Sequence, residues 1–214
     1  MNRPIHIIDD DALWRAIVAE MIQALPGFVA VEWESGNAFH DSPDKAPGIA
    51  LIDVKMPGMS GDELLVLLDQ ARFLPIMMSG SADIALAVEA VKRGAFDFLE
   101  KPCSAQKLED TIAKASREFE QRYHEALRRE EDLARFEALS HREREILAEI
   151  AGDSSNREAG EKFGISVRTV EAHRARIMLK LGMSSFAEVV SLAHGCGFAA
   201  ERRKRSDVSA RGAV

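Results

Sequence analysis

Cysteine is scarce in this chain, and what there is can build nothing covalent. Cys103 and Cys196 stand alone and far apart. A disulfide framework or a zinc site needs cysteines at closer, repeated spacing, so both are excluded, in keeping with a reducing cytosol. Long hydrophobic runs are missing too. No stretch approaches the roughly 20 apolar residues of a membrane span, and the first residues lack the apolar core of a secretion signal. The expectation is a soluble, cytoplasmic protein without membrane contact. Glycine and proline are absent from Gln106 to Leu139, which removes the usual helix stops over that stretch.

Charge is unevenly spread. Residues 1–103 hold 8 Lys/Arg against 16 Asp/Glu, residues 104–139 hold 7 against 9, and residues 140–214 hold 13 against 10. An acidic front and a basic rear suggest a regulatory part and a polyanion-binding part. The 214 residues suffice for two small domains, each with its own core.

The front carries four short apolar runs that end in polar groups. Residues 49–53 end in Asp53, residues 5–8 are followed by Asp9, Asp10 and Asp11, residues 75–78 by Ser79, and residues 97–100, with Phe98 and Leu99, by Lys101 and Pro102. Such runs read as buried parallel strands. A further strand is expected at 28–33. Helical spacing intervenes: Leu13, Ile17, Met21, Ile22 and Leu25 share a face before Pro26-Gly27, a short helix is expected near 37–39, another over 62–73, and a fourth over 82–92, with Ile84, Leu86, Ala87, Val88 and Val91 before a stop at Gly94. This alternation specifies an α/β, doubly wound five-stranded parallel sheet. Sites of such sheets lie outside the carboxyl ends of the strands, so the acids, the hydroxyl and the ammonium converge there.

Carboxylates that meet at one sheet edge repel unless a hard cation lies among them, and oxygen ligands suit Mg2+. Asp10 and Asp53 are the expected direct ligands, with Asp9 acting through water and Lys55 adding its backbone carbonyl. Asp53, so neutralised, can attack a phosphoryl group and become an acyl phosphate. Ser79 then donates a hydrogen bond to a phosphoryl oxygen, and Lys101 supplies a compact positive charge.

From residue 106 to about 139, apolar residues recur at spacings of mostly three and four, among them Leu108, Ile112, Ala115, Phe119, Leu133 and Phe136. One long helix is expected, either a coiled-coil dimer seam with charged flanks or a solvated linker. Four short helices follow, at 141–151, 157–163, 167–181 and 185–194, with Gly164-Ile165-Ser166 making the tight turn and cap of a helix-turn-helix. Residues 199–214, with Arg202-Arg203-Lys204-Arg205, have no apolar periodicity and are expected to be a disordered basic tail. The domain boundaries expected are 1–103, 104–138, 139–198 and 199–214.

In the third rear helix Val170, Ile177 and Leu181 form the inward stripe, which leaves Arg168, Glu171, Ala172, Ala175 and Arg176 towards solvent. A helix of this form fits the DNA major groove. Glu171, Ala172 and Ala175 are base-edge candidates. Arg168, Thr169, Arg174, Arg176 and Lys180 are phosphate or position-setting candidates. His173 has no second ligand at helical spacing and is read as packing.

The motifs Ile8-Asp9-Asp10-Asp11, Asp53-Val-Lys-Met-Pro-Gly-Met-Ser-Gly61, Met78-Ser79-Gly80 and Asp97-Phe-Leu-Glu-Lys-Pro102 resemble the receiver domain of bacterial two-component response regulators. The segments 139–147, 155–157 and 165–181 look like the LuxR-type DNA-binding domain, and together they place the chain with the NarL/FixJ regulators. The resemblance implies a flavodoxin-like receiver, a sensor histidine kinase as phosphoryl donor to Asp53, and a cis Lys101–Pro102 peptide. It also implies that Ser79 moves towards the phosphoryl group and that the switch residue Phe98 follows inward, remodelling the face made by the fourth helix and fifth strand. Two positions depart from the family pattern. Ser79 stands where Thr is also common, and Ala159-Gly160 stands where a bulkier residue and Ala are usual, which predicts a slightly loose second rear helix.

The function expected is a phosphorylation-gated transcriptional regulator. It would form a homodimer on double-stranded promoter DNA, with RNA polymerase as a further candidate partner, and would be a self-modifying phosphoacceptor, not an enzyme. Two other functions share part of this pattern. An aspartyl phosphohydrolase of the haloacid dehalogenase type needs a second Asp two residues after the nucleophile, where this chain has Lys55. A receiver-based interaction module with an idle helix-turn-helix would bind no promoter.

Overall fold

The computed structural model describes residues 2–81 and 84–198. The chain divides into two compact units, Met1–His124 and Glu125–Val214. In the first, β1 (Arg3–Ile8), α1 (Ala12–Gln23), β2 (Phe28–Trp33), α2 (Gly36–Asp41), β3 (Gly48–Asp53), α3 (Gly61–Leu67), β4 (Phe73–Ser79), α4 (Ile84–Lys92) and β5 (Asp97–Glu100) alternate, and α5 (Ala105–Arg135) follows. Among the described residues the strands form one all-parallel sheet in the order β2-β1-β3-β4-β5. This doubly wound order reverses between β1 and β3, which opens a crevice at their carboxyl ends.

Strands β3 and β4 are buried along their whole length, which is why they read as unbroken apolar runs instead of alternations. The pleat sends Ile49 and Leu51 into one core with Ile5, Ile7, Val18, Ile22, Leu108 and Ile112, and Ala50 and Ile52 into the other with Ile8, Leu64, Leu65, Met77 and Ala90.

Several expected helix faces differ from those observed. In α1 the buried residues are Val18, Ala19 and Ile22, while Leu13 and Ile17 are exposed. Helix α3 stops at Leu67, because Leu68 turns extended and the Asp69 side chain and carbonyl bind the amides of Ala71, Arg72 and Phe73, so Phe73 opens a strand instead of closing a helix. In α4 only Ala90 is buried and Leu86 half-buried, whereas Ile84, Val88 and Val91 face solvent. Residues 82 and 83, the expected start of that helix, lie outside the described residues.

Helix α5 is continuous over 31 residues, as the absence of glycine and proline implied. Both ends of its apolar stripe are taken up within the chain, while Leu127 between them is exposed. Leu108, Ile112 and Ala115 are buried in the first unit's core, and Leu133 packs in the second unit's core beside the buried Phe136. A heptad-like pattern reports that a stripe is covered, and here each end is covered by the helix's own unit.

The second unit holds the end of α5, a 3-10 turn (Phe136–Ala138), α6 (His141–Ile150), α7 (Asn156–Phe163), α8 (Val167–Leu181) and α9 (Phe186–Gly195). Ser140 with Glu143 and Ser155 with Glu158 form capping boxes that start α6 and α7. Gly164 and Gly182 end α7 and α8 at φ 65, a left-handed conformation in which a Cβ is strained. Phe136, Leu147, Ile177, Leu181, Phe186 and Val189 make the main core, and Ile146, Ala159 and Val170 a smaller one. The looseness expected at Ala159-Gly160 is absent. Both residues are buried, and a Cβ on Gly160 would lie 2.8 Å from the Ile165 carbonyl oxygen, so α7 packs more closely on the turn than an alanine would permit. No helix among the described residues is long and apolar enough to cross a membrane. The expected basic tail, 199–214, lies outside the described residues.

Candidate functional site

The front site is made at the β1/β3 switch point. Asp9 follows β1 directly and is fully buried, and Asp53 ends β3 almost as deeply buried. Asp10, one residue on, is exposed. One oxygen from each of Asp9, Asp10 and Asp53 can be found within 4.8 Å of the others, an all-oxygen group of the kind that holds a hard divalent cation. Asp9 is held on both oxygens: Oδ1 accepts the Asp11 amide at 3.0 Å and Oδ2 pairs with Lys101. The Lys101 ammonium also lies 2.9 Å from Asp53 Oδ1. Burial raises the Asp53 carboxyl above its ordinary range; Lys101 opposes the rise, and the neighbouring Asp9 and Asp10 add to it.

Ser79 ends β4, is buried, and has its hydroxyl 3.2 Å from that of Ser81, whose amide donates to the same oxygen. The Lys101–Pro102 peptide is cis. Phe98, in the short strand β5, is half-buried against the second core. Lys55 is exposed.

Arg15, Trp14 and Gly61, with no role assigned from the sequence, contribute to the site together with Asp11. Arg15 Nη1 donates to the Asp9 carbonyl at 2.6 Å, and the Asp11 side chain caps α1 by accepting from Leu13 and Trp14. The ring of Trp14 lies with its centroid 5.9 Å from the Lys101 ammonium. Gly61 is a glycine for a spatial reason: a Cβ there would fall 2.1 Å from the Asp53 carbonyl oxygen, so α3 could not start against the site. An apolar residue at 14 and a glycine closing the Asp53 loop were visible, but nothing local to either showed what it would meet.

In the second unit α8 buries Val170, Ile177 and Leu181, the stripe read from the sequence. Arg168, Thr169, Glu171, Ala172, Ala175 and Arg176 are exposed. Ser166 caps the helix by accepting the Thr169 amide at 3.1 Å, and the two hydroxyls lie 2.8 Å apart. Leu179, absent from the sequence reading, continues this face and is 82% exposed.

Two basic residues of α8 do not present free heads. Arg174 is half-buried, donates from Nη1 to Asn156 Oδ1 at 2.7 Å, and holds its guanidinium carbon 4.2 Å from the centroid of Phe186. Lys180 donates to Glu143 Oε2 at 2.7 Å, inside the α6 capping box. Burial pushes the Glu143 carboxyl up, but Lys180 and Ser140 outweigh it and hold it below the usual range. His173 packs with Nδ1 buried and unpartnered, and no metal-ligating group of three among the described residues includes it.

Comparison with known proteins covers both units. The model of the response regulator receiver domain matches residues 5–113. The model described as bacterial regulatory proteins, luxR family, matches residues 137–193. The chain is 36% identical over 196 residues to the transcriptional regulatory protein FixJ of Bradyrhizobium diazoefficiens, covering 90% of this chain and 95% of that one. It is 36% identical over 198 residues to the C4-dicarboxylate transport transcriptional regulatory protein DctR of Rhodobacter capsulatus, covering 90% and 100%. Among solved structures, full-length FixJ from B. japonicum is similar with a TM-score of 0.53 at 35% identity, covering 91% of this chain and 97% of that one. The response regulator StyR is similar with a TM-score of 0.64 at 29% identity, covering 90% and 98%.

Proposed function

The chain belongs to the FixJ-type response regulators, two-component transcription regulators that join a receiver to a LuxR-type DNA-binding domain, and from that premise we propose that Asp53 is the phosphoacceptor whose modification controls promoter binding. The observation that carries this is the placement of one ammonium, Lys101, between Asp9 and Asp53 at the rim of the sheet. Asp9, Asp10 and Asp53 would hold Mg2+, with the Lys55 carbonyl as a further ligand. When bound, that cation supplies the charge neutralisation that phosphoryl transfer needs.

The chain's own groups do the rest. Asp53 offers a carboxylate oxygen to the phosphorus of a phosphohistidine on the donor kinase. The new O–P bond makes an acyl phosphate while the P–N bond breaks and its electron pair returns to the histidine nitrogen. Lys101 stays as the counter-cation on the opposite side, Ser79 supplies a hydrogen-bond donor, and the half-buried Phe98 follows Ser79. The phosphoryl group ends on the chain's own side chain, so the protein is a substrate of the kinase and not a turnover catalyst.

The exposed Ile84, Val88 and Val91 of α4 give a second copy an apolar face to cover, a homodimer contact alongside the middle of the long helix, where Leu127 is exposed. Pairing two recognition helices turns a modest change in monomer association into a large change in affinity for a two-half-site operator. On that operator Ala172 and Ala175 would meet thymine methyls and Glu171 a cytosine amine, with Arg168, Thr169 and Arg176 on phosphates. RNA polymerase is a further proposed partner. The experiment is labelling with acetyl phosphate and Mg2+, followed by selection of DNA from a randomised pool. Wild type should take up phosphate and enrich one sequence, and Asp53→Asn should do neither. Persistent labelling of Asp53→Asn would move the acceptor elsewhere, and enrichment of no sequence would favour the interaction-module rival.

A further inference from the structure

The basic residues of α8 divide into two kinds. Arg168 and Arg176 are exposed and make no hydrogen bond or ion pair among the described residues. Arg174 is engaged twice: Nη1 donates to Asn156, the first residue of α7, and the guanidinium carbon lies over the ring of Phe186, the first residue of α9, 4.2 Å from its centroid. Phe186 is itself buried in the main core, so it is a fixed platform. At about 100° of turn per residue, Arg168, Ala172, Ala175 and Leu179 share one narrow sector, with Arg174 roughly 130° round from its centre.

We propose that Arg174 is a positioning residue for DNA recognition: it ties the starts of α7 and α9 to the middle of α8 and so sets the angle at which the exposed face enters the groove. The inference rests on the DNA-binding reading above. A guanidinium can hold an amide oxygen at its edge while stacking a ring on its face, because it is planar with donors in the plane. A lysine keeps the charge and loses both, which separates positioning from phosphate attraction. The geometry matters because base-edge contacts are short-ranged and directional, whereas phosphate attraction tolerates a displaced helix.

The test uses the full chain and two probes: a duplex carrying the sequence that wild type selects, and a scrambled duplex of the same composition, each across a salt series. Arg168→Ala and Arg176→Ala should each flatten the slope of log affinity against log salt by about 0.9, the signature of one lost phosphate contact. Arg174→Lys and Arg174→Ala should keep the wild-type slope and the wild-type affinity for the scrambled duplex. Their preference for the selected duplex should fall about tenfold or more, the scale of one misread base pair, and Asn156→Ala, which removes no cation, should move preference in the same direction. Wild-type preference in Arg174→Lys, or a slope flattened by about 0.9 in Arg174→Ala, would overturn the proposal. So would equal losses on both duplexes, which mean only fewer folded molecules. A wild type that prefers neither duplex would overturn the DNA-binding reading itself, and this inference with it.

Discussion

Lys101 places its ammonium 2.9 Å from Asp53 Oδ1 while also pairing with the fully buried Asp9, so one cation serves two carboxylates delivered by different strands. The register explains how. β4 sits between β3 and β5, with Asp53 opposite Met78 and Ser79 opposite Glu100, so Lys101 emerges just past the sheet edge where the acids collect. Two buried carboxylates without a cation would repel, and the fold tolerates them because Lys101 is there.

Removing that cation should therefore cost stability and make the divalent ion matter more. Lys101→Met is expected to lower the unfolding free energy in chelator by about 3 kcal/mol, the usual order for breaking a buried pair. Mg2+ should then raise its midpoint temperature more than that of wild type. Thermal unfolding with and without the ion checks this, and equal Mg2+ shifts in the two proteins would refute the shared-cation account.

His6 should make the receiver lose stability in acid. The ring is buried, Nδ1 accepts from Trp33 Nε1 at 3.1 Å, and the Ala46 carbonyl lies 2.9 Å from Nε2, so the neutral tautomer with its proton on Nε2 is satisfied on both sides. Phe39 and Phe73 meet it edge-on, and Lys45 is the nearby cation. Burial lowers its pKa, the Ala46 bond opposes this, and Lys45 lowers it further. Below the ordinary histidine range the unfolded chain takes a proton that the folded one refuses, so stability falls as pH falls and is unaffected by this group above that range. Unfolding midpoints from pH 7.5 down should show a steeper decline in wild type than in His6→Asn. Parallel curves would assign the decline to other groups.

Gly160→Ala should destabilise the DNA-binding unit although alanine is the better helix former. The added Cβ would sit 2.8 Å from the Ile165 carbonyl oxygen, and overpacking of this kind costs about 1–3 kcal/mol. Denaturant unfolding of the variant measures it. A gain in stability would mean that the turn yields freely.

Ile84→Glu and Val88→Glu, each on an exposed α4 position, should leave the monomer folded. Sedimentation with acetyl phosphate should show wild type shifting towards dimer and both variants remaining monomeric. An unchanged shift in both variants would place the dimer contact elsewhere.

The comparison of Arg168 with Arg174 and of Leu13 with Val18 shows where sequence reading stops. All four positions carry a plausible type for their helix, yet Leu13 is exposed and Val18 buried, and Arg174 is taken up by Asn156 and Phe186 while Arg168 is exposed and pairs with none of the described residues. Strand ends were easier, because the length of each apolar run and the polar residue that ends it are local facts. The α8 core stripe was equally legible, since Val170, Ile177 and Leu181 recur at helical spacing, whereas nothing local showed that the apolar Val167 and Leu179 would be exposed.

The order of elements, the acids at the sheet rim and the helix-turn-helix were thus determined by the sequence, because periodicity, caps and strand-end chemistry act over a few residues. Tertiary structure alone decided that both ends of the α5 stripe are covered within their own units, that Gly61 and Gly160 are held by carbonyl oxygens, and that Lys101 bridges Asp9 and Asp53. A pattern specifies which face of an element is apolar or charged; what meets that face comes from residues far along the chain, and only folding brings them together.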